Sequence, residues 1–125
     1  MRRVFPLLFV LAAVAALLSM ARFAWPFTMD DSFITFRYAA NLAAGFGPTW
    51  NPGLPPAEGY TTFLWVAVMA LPHALHLDAE VFAKVAGLAV TLATMGVVYL
   101  FVYRLTSAQP GGRRHLAAAA GAAML

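Results

Sequence analysis

The sequence predicts an all-α integral membrane protein: two secure transmembrane helices, external juxtamembrane amphipathic helices and the start of a third span. Three observations carry that prediction. First, 62% of the 125 residues are hydrophobic and only 10% are charged, whereas a soluble domain is about 45–50% apolar. Second, the apolar residues gather in runs of membrane-crossing length, and the mean hydropathy is +0.77. Third, the polar residues concentrate in one segment, 25–60, between two such runs. Composition also excludes several classes. The net charge of +3 comes from scattered arginines with no basic block, so nucleic acid is not an expected partner. Zero cysteines removes disulfides and Cys-ligated metals.

The first span is residues 4–24, VFPLLFVLAAVAALLSMARFA. At 1.5 Å per residue it covers roughly 31 Å, close to the ~30 Å hydrocarbon thickness. Arg2 and Arg3 precede it, which puts the N-terminus in the cytoplasm by the positive-inside rule. A cleaved signal peptide is the competing reading, since Ser19-Met20-Ala21 offers small residues at a suitable spacing. The apolar run is longer than the ~7–15 residues of a signal h-region, which favours an uncleaved span.

An external loop, 25–80, follows, with juxtamembrane helices expected at about 30–44 and 61–77. In the first helix, Thr28 and Asp31 fit a capping box, and Gly45 supplies a stop. Phe33, Phe36, Ala40 and Ala44 make an apolar stripe suited to a membrane interface. Asp30, Arg37 and Asn41 share another face. The second helix, TTFLWVAVMALPHALHL, only just reaches spanning length, and Pro72, His73 and His76 weaken its second half. If it spanned, Arg104, Arg113 and Arg114 would land outside; lying in the outer interface, it leaves them inside beside Arg2 and Arg3. His73 and His76 read as interfacial polar residues, because a pair without a third ligand is weak evidence for metal.

The second secure span is 81–103, in which Gly87 and Gly96 offer small positions for close helix approach. A cytoplasmic loop, 104–115, is broken at Pro110-Gly111-Gly112. Residues 116–125 then start a third span, reaching only ~15 Å, as expected of the N-terminal piece of a longer polytopic protein.

The chemistry is expected in the 25–60 loop. The chain has five acidic residues, and Asp30 and Asp31 stand side by side at its start. A carboxylate pair at a membrane surface loses solvation energy unless it is paired or used. The bland reading is a helix cap. Against it stand the turns Gly45-Phe46-Gly47 and Asn51-Pro52-Gly53, Trp50 between them, and Glu58-Gly59-Tyr60-Thr61-Thr62 leading into Phe63-Leu64-Trp65. Carboxylates, aromatic faces and a glycine-rich floor at a lipid surface suit a sugar site.

These runs, from Asp30-Asp31-Ser32-Phe33 through Asn41, Gly45-Phe46-Gly47, Asn51-Pro52-Gly53 and Glu58-Gly59-Tyr60-Thr61-Thr62-Phe63-Leu64-Trp65, resemble the N-terminus of a GT-C superfamily glycosyltransferase. The likeness is to bacterial polytopic enzymes of the terminal arabinofuranosyltransferase type and covers about residues 28–65. The segment Leu54-Pro55-Pro56-Ala57 departs from the more polar stretch usual before Glu-Gly-Tyr-Thr. The resemblance implies sugar transfer from a polyprenyl-phosphate donor to an extracytoplasmic acceptor hydroxyl, with inversion. The acceptor is a glycan or a lipid-linked molecule, and the enzyme sits in the plasma membrane. A first-loop aspartate acts as general base, which carries onto Asp30 or Asp31, with Asp30 favoured for its face. Arg37, Asn41, Trp50, Glu58 and Tyr60 are the candidate substrate-binding residues. No cofactor is implied, although a divalent cation is compatible with such a site. Alone, a segment of this size is expected to be inactive, since these enzymes enclose the lipid donor with many more spans. The alternative is a small multi-pass membrane interaction protein or transporter fragment, in which the acidic pair only caps a helix.

Overall fold

A computed structural model describes residues 4–55, 57–106 and 111–124. Five helices follow one another: α1 (Val4–Ala24), α2 (Asp31–Ala43), α3 (Phe63–Ala74), α4 (Ala79–Leu105) and α5 (Gly111–Ala123). There is no strand among the described residues. The all-α prediction therefore stands. Of the two predicted spans, α4 is long and apolar enough to cross a membrane. In α1 the apolar stretch with described side chains, Leu8–Ala24, is a shorter one.

The contacts divide the chain into two compact units, Pro26–Ala86 and a second made of Met1–Trp25 with Gly87–Leu125. The loop unit is built on α2 and α3. Phe36, Tyr38 and Ala39 of α2 are buried with Val66 and Met69 of α3, and Ile34, Leu42, Trp65 and Phe82 pack around them. A fully buried side chain such as Met69 stabilises by about 1.5–3 kcal/mol. This packing draws on only part of the apolar stripe predicted on α2. Of its four residues only Phe36 enters the core, while Phe33 is 52% exposed. The arc that α3 covers runs through Ile34, Tyr38, Ala39 and Leu42 instead.

Punctuation explains where these helices stop. At the end of α2, Gly45 adopts φ +84°, a left-handed conformation that glycine takes without a Cβ penalty. Its N–H donates to Leu42 O at 3.1 Å and the Phe46 N–H to Asn41 O at 3.0 Å, which is the Schellman pairing. The predicted capping box is replaced. Asp30 is the N-cap residue, and its carboxylate accepts the Asp31 N–H, while the Thr28 hydroxyl donates to Glu80. Glu80 is already engaged with Lys84 one turn along α4, at 2.6 Å, so the carboxylate that attracts Thr28 is tertiary and not local. The α4 start is capped by Asp78, whose carboxylate accepts the Val81 N–H at 2.9 Å.

The other unit packs α1 against α5, with Ala118, Ala119 and Ala122 buried. Beside Gly87 and Gly96 the space is open, with no other described element within 4 Å of a Cβ built there, whereas a Cβ at Gly121 would lie 3.2 Å from Val102. The predicted 104–115 loop is also shorter, since α4 runs on to Leu105 and α5 already begins at Gly111. Of its predicted break, Gly111 and Gly112 instead open α5, and position 110 lies outside the described residues. Tyr99 and His115 are hydrogen-bonded at 2.7 Å between Oη and Nδ1, and the Arg114 guanidinium lies over Tyr103. Along α4, Val85, Val90, Val97, Leu100 and Phe101 are exposed, an apolar surface of the kind that marks contact with another apolar phase.

Candidate functional site

The site builds from the N-terminal turn of α2. Asp31 is the first residue of that helix, where a carboxylate faces the positive end of the helix dipole. Its side chain is exposed and lines a cleft of about 440 Å³. Ser32, Ile34 and Thr35 continue the α2 side of this cleft; Gly59, Tyr60, Thr61 and Thr62 form the side opposite in sequence, and Trp65 of α3 joins them. Thr62 is also the N-cap residue of α3, yet its hydroxyl makes no capping hydrogen bond. Asp31 is the one charged residue of the lining, which contains no Lys, Arg or His.

The acidic pair therefore divides its duties. Asp30 is the N-cap residue of α2, its Oδ1 3.0 Å from the Asp31 nitrogen, and it is not among the cleft-lining residues. Asp31 holds the cleft. Arg37 and Asn41, predicted to share a face with Asp30, are turned to structural work. Arg37 donates through Nε to Trp50 O at 2.9 Å and through Nη2 to Asn51 Oδ1 at 3.1 Å. Asn41 donates through Nδ2 to Thr49 O at 2.6 Å and to Trp50 O at 3.1 Å. The guanidinium also stacks 4.9 Å from the Trp50 ring centroid, a cation–π geometry. Arg37, Asn41 and Trp50 thus latch the 49–51 loop onto α2, and none of the three lines the cleft. Glu58 is exposed and lies just outside the lining, whereas Tyr60 belongs to it.

One important residue escaped the sequence reading. Tyr38 is 2% exposed, and its hydroxyl donates to Ala57 O at 2.6 Å. Its ring meets Tyr60 edge-on at 4.9 Å and Trp50 at 5.7 Å. Tyr38 thereby binds both loops to the helix that carries Asp31. The available signal was Gly59, because a glycine beside an aromatic residue is compatible with close backbone approach. Among the described residues no group of three or more His, Cys, Asp or Glu side chains could hold a metal ion. His73 and His76 stand at the end of α3, where His76 has φ 55°. No protein family, curated protein or solved structure matches the chain.

Proposed function

We propose that this chain is the N-terminal portion of a multi-pass membrane glycosyltransferase of the GT-C type, moving a sugar from a polyprenyl-phosphate donor to an extracytoplasmic acceptor hydroxyl with inversion. The observation that carries the reading is the Asp31 carboxylate on a cleft lined by hydroxyls and aromatic rings, within the stretch that carries the resemblance. Asp31 makes no side-chain hydrogen bond or ion pair among the described residues. Such a carboxylate can accept a proton from an acceptor hydroxyl as it attacks the anomeric carbon. A positioned general base contributes about 10²–10⁴-fold. Polyprenyl phosphate leaves readily once its charge is stabilised. In this reading α1 and α4 are spans, the loop between them is extracytoplasmic, α2 and α3 lie against the bilayer surface, and the N-terminus is cytoplasmic in the plasma membrane. Arg37, Asn41 and Trp50 act by holding the loop.

The test uses the full-length protein in membranes, supplied with a radiolabelled polyprenyl-phosphate sugar. Asp31→Asn is expected to lower transfer by about 10²-fold or more with insertion intact. Asp30→Asn is expected to lower it less, through a weakened helix start. Wild-type rates in both variants overturn the base assignment. A second reading, a membrane interaction protein without catalysis, is favoured by the structural engagement of Asp30, Arg37 and Asn41. Absence of transfer by the wild-type protein from any polyprenyl-phosphate sugar tried selects that reading.

A further inference from the structure

We propose that the cleft recognises an uncharged, polyhydroxylated ligand through its Tyr60–Thr62 wall, and that Tyr38 is the positioning residue fixing that wall with respect to Asp31. The identification of this ligand as the acceptor rests on the glycosyl-transfer reading; the recognition itself does not.

The ligand class follows from the lining. Its one charge is the Asp31 carboxylate, with no cation to balance a phosphate. A phosphorylated ligand brought beside that carboxylate meets like-charge repulsion. A neutral polyol meets the opposite. Its hydroxyls can donate to Asp31 and exchange hydrogen bonds with Thr61 and Thr62, whose side chains make none within the described residues. The Tyr60 and Trp65 rings offer apolar faces for the C–H face of a sugar ring. The donor phosphate is therefore held elsewhere, outside this cleft.

The positioning role follows from what stands behind the wall. Residues 57–62 contain no helix or strand, so no regular backbone ladder holds them. Tyr38 does so with a hydrogen bond to Ala57 O at 2.6 Å and an edge-on contact with Tyr60 at 4.9 Å. Gly59 lies so close that a Cβ there would fall 2.8 Å from the Tyr38 hydroxyl, and the tyrosine is too buried to move aside. Tyr38 touches no ligand. It sets where Tyr60, Thr61 and Thr62 stand.

The experiment measures binding apart from turnover. Saturation-transfer difference NMR on the full-length protein in detergent uses two neutral probes, methyl α-arabinofuranoside and methyl α-mannopyranoside, with glucose 1-phosphate as the anionic competitor. At least one neutral glycoside is expected to bind the wild-type protein. Its Kd is expected to rise at least fivefold in Tyr38→Phe and in the exposed double variant Thr61→Val/Thr62→Val, and glucose 1-phosphate is expected not to displace it. In the transfer assay, Tyr38→Phe is expected to raise the acceptor KM with kcat and donor KM held within about twofold, unlike Asp31→Asn, which lowers kcat. Three results overturn the proposal: no binding of either glycoside, displacement by glucose 1-phosphate, or unchanged binding in both variants. Glycoside binding by a protein that performs no transfer refutes the enzymatic reading and leaves the recognition intact.

Discussion

Gly59 and Tyr38 show how narrowly this site is set at the level of single atoms. A methyl group at position 59 would sit 2.8 Å from the Tyr38 hydroxyl. Because Tyr38 is wedged between Tyr60, Trp50 and the Ala57 carbonyl, the backbone must yield. Gly59→Ala is expected to lower stability by about 1–3 kcal/mol, read from thermal or denaturant unfolding in detergent; an unchanged midpoint contradicts the close packing. Arg37 and Asn41 permit a second test, since both donate to Trp50 O. Their alanine variants are expected to be non-additive, with a coupling of about 0.5–3 kcal/mol. Additive losses would mean that the two side chains do not share one loop. The sequence showed that Asp30, Arg37 and Asn41 lie on one helical face, since that is a matter of period. It did not show that backbone carbonyls of a loop would occupy the two donors.

At the scale of the element, α3 is apolar nearly all round, and its two sides differ in what covers them. Val66 and Met69 are buried against α2, while Phe63 and Leu64 are 54% and 78% exposed. Met69→Ala is expected to lower stability by about 2–5 kcal/mol through the cavity it leaves. Leu64→Ala is expected to leave the midpoint of unfolding nearly unchanged in detergent. Equal losses in the two would mean that both sides are packed inside the protein. Hydrophobic runs made the first four helices legible, because a helix is announced by residues close together in the chain, whereas α5 opens on Gly111 and Gly112, which read as a break. The choice of buried arc on α2 was not legible. Tyr38 carries a polar hydroxyl, yet tertiary contacts from both loops bury it, and the stripe through Phe33 and Ala44 looked equally apolar.

On the scale of the whole molecule, helix length decides which elements can cross a bilayer. The 27 residues of α4 cover roughly 40 Å at 1.5 Å each, enough to span with tilt. The 12 residues of α3 cover only roughly 18 Å and would leave polar ends in hydrocarbon. These 125 residues hold no cysteine, so single-cysteine labelling within them is clean once any cysteine elsewhere is replaced. With a membrane-impermeant maleimide on intact cells, Ala57→Cys is expected to react from outside and Gln109→Cys only after permeabilisation. External labelling at 109 would turn α3 into a span and reverse the loop.

Local order in the chain was thus enough to define the first four helices, the glycine stop at Gly45 and the polar loop that carries the acidic pair. Each depends on hydropathy period or backbone preference within a few residues. Which carboxylate faces the cleft, which face of α2 is covered and where a glycine is indispensable were decided only by tertiary contacts. Those choices depend on partners from distant parts of the chain, such as Ala57 for Tyr38 and Glu80 for Thr28. Such partners compete with every local alternative, and they stand 19 and 52 residues away along the chain.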